Sequence, residues 1–185
     1  MKNNYSTLID FGSSNIRVGV LENKNVSKNI FLDKECQSNL KIKEFNISQS
    51  KEIIYHLIQK MEKKYGTHLD NVNLMIDTPD LFSIDISIKK KFDKKKIDIN
   101  DISRLVLESK LLIQKNYNNK KILHIIIQKY NIDENEYYFF PNENIICDNL
   151  ILDIKFICFD NLIYENLIKS FKENHIFINQ ICCSS

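Results

Sequence analysis

Residues 7–22 read Thr-Leu-Ile-Asp-Phe-Gly-Ser-Ser-Asn-Ile-Arg-Val-Gly-Val-Leu-Glu, and this stretch decides how the start of the chain folds. Two apolar, β-branched runs flank Gly12-Ser13-Ser14, a short turn in which the glycine can adopt a positive φ. The chain of 185 residues has only three glycines and two prolines, so each marks its position more strongly than usual. We therefore predict a β-hairpin with Gly12 in its turn.

The hairpin turn also has a chemical interpretation. Asp10 ends the first strand, and the turn after it offers backbone N–H groups and two hydroxyls around a residue without a Cβ atom. Such a turn can enclose a phosphate, and an aspartate beside it can hold Mg²⁺ through water. The alternative is a hairpin whose hydroxyls cap only their own turn, and the residues of the stretch leave both interpretations open.

The composition is that of a globular protein without a strong overall charge. Hydrophobic residues make up 43% of the chain and the formal net charge is +2, so no overall field favours nucleic acid or a membrane surface. The five cysteines include no C-x-x-C pair, and their odd number argues against a disulfide framework and for a reducing, cytosolic compartment. Because there is no signal-peptide core and no run of about 18 uncharged apolar residues, no transmembrane segment is expected.

The first 80 residues predict an α/β unit. A weak third strand is expected around residues 40–45, followed by a helix that Ser48 or Ser50 caps and that Gly66 ends. A short alternating strand over residues 72–76 comes next. The apolar residues of the helix recur at helical spacing and are Ile53, Ile54, Leu57, Ile58 and Met61.

Six lysines, at positions 89–91 and 94–96, follow an alternating strand over residues 81–88. A run of this kind can contact nucleic acid or anionic lipid. No aromatic ladder accompanies the lysines, and the chain is rich in lysine throughout. We therefore interpret the run as a solvated loop and expect no nucleic-acid partner.

The rest of the chain predicts a second unit of strands and a helix, followed by a return to the α/β pattern. Asp98 or Asn100 is placed to cap a second helix, and Asp160 is placed to cap a third. The predicted elements are a helix over 100–115, strands over 121–132, 136–140 and 150–158, a helix with Ile163, Leu167 and Phe171 in its stripe, and a strand over 176–181.

No complete active site is recognisable in these elements. The four histidines are scattered, and the sequence has no Walker A loop, dinucleotide fingerprint or nucleophile elbow. His124 lies in an apolar strand, where a core role is favoured over that of a catalytic base. Cys182 and Cys183 are either a reactive pair or small core residues at a strand end, and the second is favoured. We predict no catalytic residue.

Taken in order, the elements resemble the amino-terminal half of FtsA, the actin-like protein of bacterial cell division. The most specific match is Leu123-His124-Ile125-Ile126-Ile127-Gln128-Lys129-Tyr130, which is similar to the family's LHVIPQEY strand. Three other stretches resemble the family in the same order along the chain: the hairpin around Gly12, residues 97–106, and residues 166–170 with Ser184-Ser185. The resemblance covers nearly the whole chain.

The resemblance implies a fold and a division of the chain. The implied fold class is α/β, half of an actin-like, ribonuclease-H-like fold with an inserted small α+β subdomain of the FtsA type. Residues 1–80 and 159–185 would form the actin-like lobe with the first phosphate loop. Residues 81–158 would form the inserted interaction subdomain.

The resemblance also implies ATP and Mg²⁺ as ligands of the lobe. Asp10 would hold Mg²⁺ through water, while the phosphates would be lined by Gly12, Ser13, Ser14 and Asn15. The implied partners are FtsZ, other division proteins and further copies of the chain, in the cytoplasm at the inner face of the cell membrane at the division site.

The main departure from the FtsA pattern is length. The family's second phosphate loop, adenosine motif, FtsZ-binding subdomain and membrane-targeting helix have no counterpart in these 185 residues, so we expect a fragment, a split-gene product or a reduced relative. With half a cleft, the chain is expected to bind ATP weakly or undetectably and not to act as an enzyme alone. The alternatives are a PilM-like pilus-assembly protein and, less favoured, a lobe of a small-molecule kinase of the actin-like superfamily.

Overall fold

The computed structural model of the chain describes residues 5–12, 15–24, 28–37, 47–141 and 145–183. These residues divide into two compact units, unit 1 (Met1–Leu81 and Asn161–Ser185) and unit 2 (Phe82–Asp160). In chain order the elements are β1 (Tyr5–Phe11), β2 (Ile16–Lys24), β3 (Lys28–Gln37), α1 (Ile47–Tyr65), β4 (Asn71–Ile76), β5 (Phe82–Ile97), α2 (Ile99–Asn116), β6 (Lys120–Ile132), β7 (Asn135–Tyr137), β8 (Ile145–Asp160), α3 (Asn161–Lys172) and β9 (Phe177–Cys183).

Unit 1 contains a mixed sheet of five strands in the order β3-β2-β1-β4-β9. The strands β1, β2 and β3 form an antiparallel meander that begins with the predicted hairpin. Beyond β1 the sheet continues with parallel pairs, β1 with β4 and β4 with β9. Parallel neighbours need crossover connections. The connection that leads to β4, the parallel neighbour of β1, contains α1, which follows β3 in the chain.

The core of unit 1 lies between one face of this sheet and its helices. Successive side chains of a strand point to opposite faces, so alternate residues of β1, β2 and β4 are buried. Tyr55 of α1 donates a hydrogen bond of 2.7 Å to the carbonyl oxygen of Ser170 in α3, which ties the two helices together. The helices bury Ile54, Leu57, Ile58, Met61, Leu167 and Phe171.

Unit 2 contains an antiparallel sheet of four strands in the order β5-β8-β6-β7. The helix α2 belongs to the same unit, and its buried residues share one core with the sheet. The central strand β8 contributes most to that core, with alternate residues Leu150, Leu152, Ile154, Phe156 and Cys158 all completely buried. The order of strands leaves β5 and β7 at the two edges of the sheet.

The helix boundaries confirm two of the capping predictions and correct a third. Asp98 caps α2, since its carboxylate accepts the N–H groups of Asn100 and Asp101 at 2.8 and 3.0 Å. Gly66 follows the last residue of α1 and has a φ of 64°. Ser50, by contrast, is buried inside α1, because the helix begins at Ile47 rather than after the predicted serine caps.

One strand prediction lies outside the described residues, and one loop prediction differs from the structure. The third strand of unit 1 is β3, and the stretch predicted for it, residues 40–45, lies outside the described residues. The prediction that the lysine run forms a loop is wrong, because β5 continues through the run to Ile97. Asp93 and Lys94 have φ values of 50° and 60° and form a bulge within the strand.

Among the described residues, no helix is both long enough and apolar enough to cross a lipid bilayer.

Candidate functional site

The turn between β1 and β2 is closed by its own backbone. The N–H of Gly12 donates to the carbonyl oxygen of Asn15 at 3.0 Å, and Phe11 pairs with Ile16 on either side of the turn. A Cβ atom added to Gly12 would lie 3.2 Å from that same carbonyl oxygen. Gly12 is therefore needed for the close approach of two backbone segments, and its N–H is already used within the turn.

The loop after β4 meets this turn at one edge of the sheet. The N–H of Asp77, the first residue beyond β4, donates to the carbonyl oxygen of Phe11 at 3.0 Å. Because β1 and β4 are parallel, their carboxyl ends point to the same edge. The crevice outside the carboxyl ends of strands is where open α/β sheets bind their ligands.

An ion pair lies beside the turn, on the face of the sheet that bears Leu8 and Met75. Asp10 of β1 is directly opposite Arg17 of β2, and the Nη1 atom of Arg17 donates to the Oδ2 atom of Asp10 at 2.5 Å. The two side chains are 30% and 48% exposed, and exposed pairs of this kind contribute at most about 1 kcal/mol to stability. The pair therefore matters more for the position of the guanidinium than for the fold.

The ion pair stands at one end of a shallow apolar hollow. In the strand register, Asp10 lies beside Met75 of β4, and Met75 lies beside Cys182 of β9. These residues, together with Leu8 and Arg17, line a cavity of about 240 Å³. Leu8 and Met75 are 39% and 41% exposed, so the walls of the hollow are mainly apolar and open to solvent.

Outside this hollow, the described residues form no metal-binding cluster of titratable groups. In the described ranges, no three histidine, cysteine, aspartate or glutamate side chains are grouped so that they could hold a metal ion. Cys147 and Cys158 are buried in unit 2, and burial raises the pKa of both thiols, which leaves them less reactive at neutral pH. Cys182 and Cys183 are half-buried at the end of β9.

The structure brings together the predicted site residues that it describes, and Arg17 lies beside them. Asp10, Gly12 and Asn15 lie in or beside the turn, whereas Ser13 and Ser14 are outside the described residues. Arg17 was not among the predicted site residues. Its place can be derived by counting outward from the turn, since a hairpin that pairs Phe11 with Ile16 must also pair Asp10 with Arg17.

Comparison with solved structures identifies the fold. The chain is similar to the "PilM-PilN type IV pilus biogenesis complex", with a TM-score of 0.60 and 6% sequence identity over 96% of this chain and 47% of that one. It also matches the cytoplasmic domain of EpsL, an inner membrane component of the type II secretion system of Vibrio cholerae, with a TM-score of 0.44, 8% identity, and coverage of 97% and 55%. A protein of actin-like ATPase fold from Bacteroides thetaiotaomicron gives a TM-score of 0.36, 13% identity, and coverage of 97% and 52%. No protein-family model and no curated protein sequence matches the chain.

The likeness to the PilM–PilN structure confirms the fold class, which is α/β and half of an actin-like fold. It does not single out FtsA. The chain spans about half the length of the PilM–PilN structure, of which it covers 47%.

Proposed function

We propose that this chain is an actin-like assembly protein of the PilM type, whose unit 1 forms half of a nucleotide cleft and whose unit 2 binds protein partners. The observation that supports this most directly is the likeness to the PilM–PilN complex, which extends over 96% of the chain and so includes both units. Such a protein works by holding other proteins in an assembly, and no catalytic residue is required of it.

The proposed nucleotide half-site is the turn between β1 and β2. Asp10 would hold Mg²⁺ through water, and the phosphates would lie against Gly12, Ser13, Ser14 and Asn15. Gly12 packs closely against Asn15, where an added Cβ atom would lie 3.2 Å from the Asn15 carbonyl oxygen. Arg17 adds a guanidinium beside the turn, and guanidinium groups bind phosphate through two parallel hydrogen bonds. When bound, Mg-ATP would supply the phosphate oxygens that Arg17 would contact.

Unit 2 is proposed as the unit that binds proteins. Its helix α2 exposes large apolar side chains that the core does not use, with Leu107 54% and Leu111 57% exposed one helical turn apart. Apolar side chains grouped on a surface are typical of protein interaction sites. We place this activity in the cytoplasm, where buried free thiols such as Cys147 and Cys158 stay reduced.

An FtsA-like division protein is the second candidate function. It is favoured by the sequence of β6, where Leu123-His124-Ile125-Ile126-Ile127-Gln128-Lys129-Tyr130 is similar to the corresponding FtsA strand. Its partner would be FtsZ, together with other division proteins or further copies of the chain, at the inner face of the membrane. The two candidates share the fold and the half-cleft and differ in the partner.

Partner retention distinguishes the two candidates. The 185-residue chain is immobilised, and the PilN and FtsZ homologues from the same genome are passed over it separately. We expect PilN to be retained and FtsZ to pass through. Retention of FtsZ without PilN would replace the proposal with the FtsA-like function, and failure of PilN to bind would overturn the PilM-type proposal.

A matched pair of variants tests the proposed role of unit 2. Leu107→Ser with Leu111→Ser removes exposed apolar surface from α2, and Leu162→Ser removes a leucine of unit 1 that is 69% exposed. We expect the first variant to retain PilN about tenfold less well and the second to retain it unchanged, since neither change empties a core position. Equal retention by both variants would contradict a binding role for α2.

A further inference from the structure

The edge of unit 2 formed by β5 is long and carries unpaired backbone. β5 has 16 residues and, among the residues that the structure describes, pairs only with β8. Alternate N–H and C=O groups along its other side therefore have no strand beside them. Such an edge is a template onto which an extended segment of another chain can add as a further strand.

The second half of this edge is strongly basic. Between Lys89 and Lys96 there are six lysines and one aspartate, Asp93, so the segment carries a formal charge of +5. In the described part of the chain, none of the six lysines takes part in an ion pair. Lys89 borders a hollow that is also lined by the carboxylates of Asp133 and Glu134. The other five lysines do not line this hollow.

The lysines are held in place by the strand that contains them. Phe92 within the segment and Ile97 directly after it are buried, at 7% and 1% exposed, and anchor the segment to the core of unit 2. The bulge at Asp93 and Lys94 shifts the pairing with β8 without ending the strand. A fixed row of charges along an edge loses less entropy on binding than the same charges on a free loop.

The nature of the segment narrows the choice of partner. A second copy of β5 is disfavoured, because lysines would then lie opposite lysines. Single-stranded nucleic acid needs exposed aromatic rings for stacking, and the aromatic residue here, Phe92, is buried, with the Nζ atom of Lys90 lying 5.7 Å from the centroid of its ring. Residues 89–96 expose no apolar side chain that could enter a bilayer, so a lipid surface would be held by charge alone and would leave the backbone groups of the edge unused.

We propose that the edge strand β5 binds an extended acidic segment of a partner protein, which adds to the sheet of unit 2 as a fifth strand. Backbone hydrogen bonds along the edge provide the affinity, and the lysines select a strand with carboxylates. This proposal goes beyond the function proposed above, since it concerns a different surface from α2 and does not depend on PilN or on nucleotide.

A designed peptide tests the proposal directly. A fluorescein-labelled peptide of alternating glutamate and valine is titrated with the complete chain and followed by fluorescence anisotropy. We expect it to bind at least about tenfold more tightly than the matching peptide of alternating lysine and valine. Equal affinity of the two peptides would overturn the proposed selectivity.

Backbone methylation of the peptide separates strand addition from charge attraction. In an added strand, alternate N–H groups face the edge, so N-methylation of either all glutamates or all valines removes the hydrogen bonds of one set only. We expect one of these two peptides to lose about tenfold in affinity and the other to bind nearly as well as the unmodified peptide. If both bind equally well, charge alone holds the peptide and the proposal fails.

Charge reversal on the protein locates the site. The variant Lys94→Glu, Lys95→Glu, Lys96→Glu is compared with a control that reverses three exposed lysines on helices, Lys63→Glu, Lys115→Glu and Lys172→Glu. We expect at least about a tenfold loss for the first and less than about a twofold change for the second, with the fold of both checked by circular dichroism. Equal loss in both variants would show an unspecific charge effect and overturn the proposal. Tighter binding of an oligothymidylate or of phosphatidylserine vesicles than of the acidic peptide would replace it with a nucleic-acid or membrane surface.

Discussion

Two glycines of this chain are needed for different physical reasons. Gly12 has a backbone carbonyl oxygen 3.2 Å from where its Cβ atom would lie, so a side chain there would require the turn to shift by a few tenths of an ångström. Gly66 has nothing within 4 Å of that position, but its φ of 64° is in the left-handed region. The first glycine is required for space and the second for conformation.

Substitution of Gly66 measures the conformational cost alone. We expect Gly66→Ala to lower the free energy of unfolding by about 1 kcal/mol, because alanine is strained in the left-handed region that ends α1. Gly66→Asn should lower it by less, since asparagine tolerates that region better. Urea unfolding followed by circular dichroism measures both. Equal stability of the alanine variant and the original chain would show that α1 can end in another way.

The cap of α2 makes the stability of that helix dependent on pH. The carboxylate of Asp98 accepts two backbone N–H groups, and the hydrogen bond from the N–H of Asp101 is the main cause that lowers the pKa of Asp98. A folded-state pKa below the unfolded value means that the contribution is complete at neutral pH. It is lost as the pH falls below about 4, through the lowered value.

Two substitutions separate the cap from its charge. Asp98→Asn keeps a capping oxygen, so we expect a melting temperature at pH 7 close to that of the original chain and a smaller decrease between pH 5 and pH 2. Asp98→Ala removes the oxygen, and we expect it to melt a few degrees lower at neutral pH. Thermal melts at a series of pH values provide the measurement. A decrease of the same size in the asparagine variant and the original chain would rule out Asp98 as a source of the acid sensitivity.

At the scale of elements, a helix or strand is predicted from the sequence when its local residue pattern favours the structure that it adopts in the fold. The hairpin and α2 bury residues at the apolar spacings from which they were predicted, and β6 was predicted from its run of β-branched residues. The lysine segment of β5 was predicted as a loop because lysine has little preference for strands, whereas the pairing with β8 and the burial of Phe92 hold it in the sheet. Pairing between distant strands cannot be read from local composition.

The candidate site likewise contains residues that a local pattern predicts and contacts that depend on strand pairing. Asp10 and Gly12 belong to a local pattern and were predicted from it. The pairing of Asp10 with Arg17 follows from the hairpin register, and the contact of Asp77 with Phe11 follows from the parallel pairing of β1 with β4. That second contact joins residues 66 positions apart, so only the folded sheet brings them together.

Truncation of a buried side chain in the central strand β8 tests how much unit 2 depends on the packing of that strand. Phe156 of β8 is completely buried, whereas Phe139 is 86% exposed. We expect Phe156→Ala to lower the free energy of unfolding by about 3–5 kcal/mol, because it removes a ring from a close-packed core. Phe139→Ala should change it by less than about 0.5 kcal/mol. Comparable losses in the two variants, measured by urea unfolding, would contradict the assignment of the core.

At the scale of the whole molecule, the chain covers 47% of the PilM–PilN structure that shares its fold. In the function proposed above, the turn at Gly12 would form one side of a nucleotide cleft. A ligand held from one side keeps fewer contacts and stays exposed to water, so its electrostatic interactions are weaker. We therefore expect the proposed half-cleft to bind phosphate weakly in this chain.

Nucleotide affinity is the property that tests the proposed half-cleft. We expect isothermal titration of the 185-residue chain with Mg-ATP to give a Kd of about 1 mM or weaker, which corresponds to a binding free energy of about −4 kcal/mol or less in magnitude. Any binding at millimolar nucleotide should decrease in Arg17→Gln and remain in Lys51→Gln, whose lysine pairs with Glu173 elsewhere in unit 1. A micromolar Kd would show that unit 1 holds nucleotide without a second lobe, and the half-cleft interpretation would then be wrong.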